Sequence, residues 1–313
     1  MRDADDFAEP SLKPISGRMR ATPGVLIFFI LLIPVGHAVS ADADAVARGE
    51  YIFRAAAGCA CHSTEEGEFL AGGRAIKTPF GTFYGTNITP DEQTGIGAWN
   101  DSDFVGAMRM GVSPQGAHYF PVFPYTAFTR MRGQDLLDLR AYLGAVKPVR
   151  KENRAHEVTP PLSWRPLLRV WKLLNFTPGE FKKDPTRSPE WNRGAYLAEA
   201  LGHCGECHTP RNLLGGLNED MAYAGSREGP EGEIAPNITP DVETGIGTWD
   251  VEDVVFFLKS GSKPDGDDVQ GLMAEMIDIG FRYLRDDDLR AIAEYLRSLR
   301  PIRNEVRAPN DEP

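Results

Sequence analysis

The feature that most constrains this fold is an internal repeat, because self-similarity at a fixed interval implies that one structural unit occurs twice. Four short segments recur in the same order, and the distance between copies drifts only from 145 to 153 residues. The corresponding segments are 48–52 and 193–197, 87–91 and 237–241, 94–99 and 244–249, and 139–143 and 292–296. The repeat predicts two copies of one domain, and a chain of 313 residues is long enough for two.

The repeat also predicts boundaries along the chain. We expect a first domain over 45–150, a linker over 151–190, a second domain over 191–302 and a short tail over 303–313. The linker is too rich in aromatic residues for a disordered tether. Residues 164–174 predict one helix in it, with four side chains buried against a neighbour: Leu167, Leu168, Trp171 and Leu174.

Each copy has the pattern of a helical unit, without a clear alternating strand pattern. A first helix carries a Cys/His motif near its end, and a glycine-rich loop leads to an Asn-Ile-Thr-Pro turn. A second helix is expected to begin near Asp101 or Val251, and a last amphipathic helix near Gly133 or Arg285. The sequence therefore predicts an all-α fold.

The second copy contains a motif with the spacing for covalent haem attachment. Cys204 and Cys207 are separated by two residues, and His208 follows directly. Two thioethers would hold the edge of the macrocycle, and the histidine would bind the iron. A redox dithiol or half of a zinc site is the alternative. Zinc needs further ligands, and His203 is the only other candidate in this copy.

The first copy contains a shortened version of this motif. Cys59 and Cys61 are separated by one residue, and His62 follows. Cys59 corresponds to Cys204 in the repeat, so one spacer residue has been lost. We predict that His62 binds iron and that Cys61 forms a thioether, and we leave open whether Cys59 bonds. A disulfide in so small a ring is disfavoured.

The sixth iron ligand is expected from the loop before the last helix of each copy. In the second copy we predict Met273, with Met276 packing. The first copy has no methionine in that loop, and its candidates are His118, Met131 at the start of the last helix, or an open position.

Charge and the N-terminal segment bear on partners and location. The net charge of −11 argues against nucleic acid and against an anionic membrane surface, and it suits a basic docking partner or simply solubility. Residues 25–33 are apolar, follow two arginines and precede small residues, so we predict a signal peptide over 1–40 and a periplasmic protein.

Several longer motifs carry a resemblance to a known family. They are Asn-Ile-Thr-Pro-Asp with Thr-Gly-Ile-Gly and Trp in both copies, 120–125 (Phe-Pro-Val-Phe-Pro-Tyr), 191–196, 202–212 and 273–275 (Met-Ala-Glu). From residue 48 to residue 301 the chain resembles the cytochrome c subunits of membrane-associated bacterial dehydrogenases for alcohols, gluconate and aldehydes. The resemblance implies two tandem class I cytochrome c-like domains and two covalent haem c groups.

The resemblance also implies partners and an electron-transfer role without catalysis. Such subunits take electrons from a flavin, quinone-cofactor or molybdenum dehydrogenase subunit and pass them to a quinone or to another cytochrome or an oxidase. Peripheral membrane association is compatible with this resemblance. Three departures stand out: two haem domains where many relatives have three, Phe123 at the family's usual methionine, and an end soon after the last helix, without the membrane-binding tail of some relatives.

Two other functions depend on an open iron at the first haem. One is a peroxidase-like dihaem enzyme, although no distal acid–base pair is evident. The other is a haem-based gas or redox sensor, although no signalling domain accompanies it.

Overall fold

The computed structural model describes residues 36–306, with side chains from residue 43 onward. Most of the predicted signal peptide and the end of the tail lie outside these residues. The described part is largely helical, which confirms the predicted class in its main feature. The helices are α1 (Gly36–Ala55), α2 (Asp101–Met110), α3 (Tyr125–Phe128), α4 (Gly133–Ala145), α5 (Leu167–Asn175), α6 (Pro189–Tyr196), α7 (Cys204–His208), α8 (Val251–Ser260), α9 (Gly271–Ile279) and α10 (Asp286–Arg297).

The predicted starts of the middle and last helices are confirmed to within a residue. Helices α2 and α8 begin with matching capping boxes on Asn100 and Asp250, each of which accepts from the backbone N–H three residues later. Both helices end at a glycine in the left-handed region, Gly111 with φ 58° and Gly261 with φ 83°. These local signals fix the ends of both helices because they satisfy backbone groups that a helix leaves unpaired.

The first and last helices of each copy pack closely at a glycine. A Cβ on Gly49 of α1 would lie 1.9 Å from the Asp138 carbonyl oxygen of α4, and one on Gly194 of α6 would lie 1.8 Å from that of Ala291 in α10. Neither position has room for a side chain. The two glycines therefore set the separation of α1 from α4 and of α6 from α10.

The Asn-Ile-Thr-Pro segments form buried structural turns. The side-chain amide of Asn87 donates to the Val149 carbonyl at 2.7 Å, and that of Asn237 donates to the Ile302 carbonyl at 2.7 Å. Both asparagines are buried. Each turn therefore fastens the chain that follows the last helix of its copy.

A small sheet corrects the expectation of an all-α fold. Strand β1 (Ala75–Thr78) pairs antiparallel with β2 (Gly81–Tyr84), and β2 pairs antiparallel with β3 (Glu157–Val158). The strands hold four, four and two residues, too few for an alternating pattern to stand out in the sequence. The third strand comes from the linker, so the sheet holds part of the linker against the first copy.

The linker helix is present but differs from its prediction in orientation. Leu168 is buried, whereas Leu174 is 64% exposed, so the predicted burial of Leu174 is wrong. Lys172 points inward, and its ammonium donates to the Met110 and Gly111 carbonyls at 2.5 and 2.8 Å. Burial lowers the pKa of Lys172 to about 8. Lys172 therefore faces the protein interior, and Leu174, which the sequence pattern predicted to be buried, faces solvent.

The two copies contact each other through matching tyrosines. The Tyr51 hydroxyl donates to Asp288 of α10 at 2.5 Å, and the Tyr196 hydroxyl donates to Asp135 of α4. Each tyrosine also accepts from a backbone N–H just before the last helix of the other copy, at Arg285 and Arg132 respectively. We call these two tyrosines with their carboxylates the tyrosine clasp.

Candidate haem sites

The motif of the second copy lies on a short helix that follows a sharp turn. Ser188 caps α6, and a wide helical turn, Leu197–Leu201, continues it. His203 then takes a left-handed conformation with φ 40°, and α7 carries both cysteines and His208. The turn at His203 separates α7 from α6, so the motif lies just after the first helix of this copy rather than on that helix, where the sequence predicts it.

Both motif histidines have the same hydrogen-bond partner in their copies. The Nδ1 atom of His62 lies 2.7 Å from the Thr86 carbonyl oxygen, and that of His208 lies 2.7 Å from the Pro236 carbonyl oxygen. Each carbonyl directly precedes an Asn-Ile-Thr-Pro turn. A carbonyl only accepts, so Nδ1 carries the proton and the lone pair of Nε2 is left for iron.

The protonation of these histidines suits the same role. Burial lowers the pKa of both His62 and His208, and the hydrogen bond to the carbonyl opposes this effect in each case. Neutral imidazole is the form that binds a metal. The two residues therefore fit the proximal ligand of a haem.

The shortened motif of the first copy has a different backbone. Residues Ala57–His62 form a 3-10 turn in place of a short α-helix. Gly58 and Cys59 are in the left-handed region, with φ of 64° and 49°. A Cβ on Gly58 would lie 2.9 Å from the Ile279 side chain of the second copy. The left-handed backbone angles at Gly58 and Cys59 thus compensate for the missing spacer residue before the chain reaches Cys61 and His62.

The cysteines have the features expected for haem attachment sites. All four are free. Burial raises the pKa of Cys59 and of Cys204 to about 12, so neither is the stabilised thiolate that a redox dithiol requires. Within residues 36–306, no group of three or more His, Cys, Asp or Glu side chains could hold a metal ion. The histidine geometry and the thiols fit haem c better than zinc or a dithiol.

The segments before the last helices show where the copies differ, and Met273 lies on helix α9 rather than in the predicted loop. Val269 and Tyr119 donate from equivalent backbone positions to Gly261 and Gly111, both at 2.8 Å. Counting onward from them, Phe123 occupies the place that Met273 has in the second copy. Both side chains are partly buried against the main core. The equivalence supports the interpretation of Phe123 as a replaced methionine.

Met131 lies at a packing position. It is fully buried, and its N–H donates to the Phe128 carbonyl at 3.0 Å. In the second copy Leu284 is also buried, and its N–H donates to Phe281 at 3.0 Å. Since leucine cannot bind iron, burial at this position has a structural explanation. Ligation by Met131 stays an untested alternative.

The His118 side chain contacts the linker. Its Nδ1 lies 3.0 Å from the Lys172 ammonium, and its Nε2 accepts from Arg169 at 3.2 Å. Burial first, and then these two cations, lower its pKa. Both ring nitrogens thus have partners on α5. Ligation of iron by His118 stays a prediction, and it would require the loss of one of these contacts.

Each motif lies close to the segment that precedes the last helix of the other copy. Sequence reasoning missed both contacts. Glu206, inside the second motif, is buried and accepts from Thr126 in α3. Near the first motif, Arg74 donates to Glu275, two residues after Met273, at 2.6 Å. The only sequence signal was that Glu275 and Glu206 lie within recurring family motifs. No sequence pattern indicates which distant residue will meet them.

Comparisons with known proteins find relatives among c-type cytochromes. No protein-family model matches the chain. A dihaem c-type cytochrome of Cereibacter sphaeroides is 41% identical over 82% of this chain and 86% of its own length. The cytochrome c subunit of an alcohol dehydrogenase (quinone) of Gluconobacter oxydans is 40% identical over 84% of the chain, and the fructose dehydrogenase cytochrome subunit of Gluconobacter japonicus is 41% identical over 83%.

The chain thus belongs to the family of c-type cytochromes that includes this dihaem protein and the cytochrome c subunits of bacterial dehydrogenases. This confirms the resemblance inferred from the motifs. The chain spans about half the length of the alcohol and fructose dehydrogenase subunits, 56% and 54% respectively.

Proposed function

We propose that this chain is an exported dihaem cytochrome that takes electrons from a dehydrogenase subunit and passes them to a quinone or another cytochrome. Haem c supplies one-electron chemistry when bound. The observation that carries the proposal is the matched pair His62–Thr86 and His208–Pro236, with the same 2.7 Å contact in both copies. Each copy acts as one cytochrome c-like domain, and its histidine presents Nε2 to the iron.

Haem stoichiometry tests this proposal directly. Pyridine haemochrome analysis, together with the mass of the denatured polypeptide, should give two covalently bound haems per chain. The Cys204→Ser/Cys207→Ser variant should retain one haem, that of the first copy. One haem or none in the unaltered protein would contradict the dihaem assignment.

The relatives' names support a dehydrogenase as the electron donor. Those relatives are cytochrome subunits of alcohol, fructose and gluconate dehydrogenases. We expect a dehydrogenase encoded beside this chain to co-purify with it and to reduce it rapidly when substrate is added. Cell fractionation and N-terminal sequencing test export, and a mature start near residue 40 is expected.

The two haems are proposed to differ in the residues that would hold their iron. His208 and Met273 would hold the second iron, whereas Phe123, at the equivalent position, offers no ligand to the first. His118 and Met131 have structural roles of their own, so the first iron would be held by His62 without a second side chain. Carbon monoxide should therefore bind to one haem of the reduced protein.

A pair of exchange variants makes this difference measurable. Phe123→Met should abolish carbon monoxide binding and raise the reduction potential of the first haem, because methionine ligation raises the potential. Met273→Phe should create a second carbon monoxide site. Unchanged binding in both variants, or a wild type that binds no carbon monoxide until His118→Gln or Met131→Leu is introduced, would assign the sixth ligand differently.

A further inference from the structure

The linker helix α5 buries Leu168 but turns three other apolar side chains outward. Val170, Leu173 and Leu174 are 55%, 84% and 64% exposed, whereas Lys172 is buried. A surface helix of a globular protein normally has the opposite arrangement, with apolar residues inward. The ammonium of Lys172 is held by backbone carbonyls of the first copy, so this orientation is built into the fold.

A turn of the second copy extends this apolar surface. The Trp171 indole donates to the Leu214 carbonyl at 2.7 Å, and Asn212 donates to the Asn175 side chain at 3.2 Å. Leu213 at the tip of the turn is 99% exposed. We call the combined surface the linker face; it consists of Val170, Leu173, Leu174, Leu213 and Leu214.

The charge around the linker face is opposite to that of the whole protein. Residues 161–183 contain five lysines and arginines and one acidic residue, in a chain of net charge −11. Arg165 and Arg169 are exposed and donate to the His118 backbone and ring. Among the described residues neither forms an ion pair with a carboxylate. Their positive charges are therefore available to an anionic surface.

The shape of the linker face favours a lipid surface over a protein. Leu213 projects from a tight turn in which Asn212 Oδ1 accepts from the Leu214 and Gly216 N–H groups. A projecting leucine needs a matching pocket in a protein partner but enters the boundary of headgroups and acyl chains without one. Exposed leucines beside arginines are typical of helices that lie in a membrane interface. None of the helices described is long and apolar enough to cross a membrane.

We propose that the linker face binds the surface of a membrane that contains anionic phospholipids. Its leucines enter the interface, and Arg165 and Arg169 lie at the level of the headgroups. Arg211, next to Asn212, donates to the Glu206 side chain at 2.7 Å, within the second haem motif. Membrane binding through this face would therefore hold the second haem site close to the lipid.

Vesicle co-sedimentation of the full holo-cytochrome tests the proposal. Phosphatidylcholine vesicles with phosphatidylglycerol should bind the protein, binding should weaken with added salt, and pure phosphatidylcholine should bind it weakly. The Leu173→Gln/Leu174→Gln/Leu213→Gln variant should bind about a hundredfold less tightly, since three leucines lose their burial. Val242→Gln/Phe256→Gln is the matched control, because these residues are 67% and 57% exposed on other elements.

Two results would overturn the proposal. One is equal vesicle binding by the triple variant and the wild type. The other is a wild type that ignores vesicles while the triple variant is reduced more slowly by its dehydrogenase, which would assign the linker face to a protein. Haem absorbance and circular dichroism verify folding of every variant. Vesicle binding involves no redox step, so its failure is distinguishable from a failure of the electron-transfer function.

Discussion

At the scale of single residues, the shortened motif predicts that Cys61 matters more than Cys59 for attachment of the first haem. Cys61 and His62 keep the adjacency that Cys207 and His208 have, while Cys59 sits on left-handed backbone. We expect Cys59→Ser to retain the first haem through Cys61, and Cys61→Ser to lose it. Haem staining after denaturing electrophoresis and intact mass measure this. Loss of the first haem in Cys59→Ser would show that both thioethers are required.

Asp288 predicts a dependence of stability on pH. Burial would raise its pKa, but hydrogen bonds from Arg193 and Tyr51 outweigh burial and hold the pKa well below the usual range. A carboxylate with a lowered folded-state pKa stabilises the fold above its unfolded pKa of about 4, and that contribution is lost as pH falls further. The free energy of unfolding should therefore decline below about pH 4.

The Asp288→Asn variant isolates this contribution. At neutral pH it should be about 3 kcal/mol less stable than the wild type, because Arg193 loses its partner. Its unfolding free energy should also fall less steeply below pH 4. Denaturant unfolding at several pH values measures both effects. Parallel pH profiles for variant and wild type would mean that Asp288 does not carry the acid sensitivity.

At the scale of elements, the two close helix contacts depend on glycine. Gly49→Ala and Gly194→Ala should each lower the free energy of unfolding by about 2–3 kcal/mol, because a methyl group would meet a backbone carbonyl. Gly106 in α2 and Gly144 in α4 are the controls, since a Cβ there meets nothing within 4 Å. Their alanine variants should gain about 0.5–1 kcal/mol. Thermal and denaturant unfolding measure these changes. Equal changes in the free energy of unfolding at all four positions would contradict the packing argument.

At the scale of the whole molecule, the tyrosine clasp joins the two copies. Removing both hydroxyls with Tyr51→Phe/Tyr196→Phe should cost about 2 kcal/mol, since two hydrogen bonds to carboxylates are lost while the rings remain. We expect calorimetry to show a lower melting temperature and a transition that broadens or splits. Tyr283→Phe, at a 55% exposed ring outside the clasp, is the control. A single unshifted transition in the double variant would show that other contacts couple the copies.

The sequence by itself determined what depends on local patterns. The repeat, the starts of the middle and last helices, the two Cys/His motifs and the family follow from residues close together in the chain. Capping, spacing and periodicity act over a few residues, so a linear pattern records them. The exposure of Leu174, the presence of strands β1 to β3 and the choice of ligand at the first haem lay beyond that range.

The tertiary structure decided what depends on residues far apart. Strand β3 forms only because Glu157 meets Thr82, and α5 turns outward only because carbonyls at Met110 and Gly111 accept the Lys172 ammonium. The contact of Thr126 with Glu206 likewise joins segments 80 residues apart. Such contacts depend on which surfaces the packed helices bring together, and no local pattern in the chain encodes that choice.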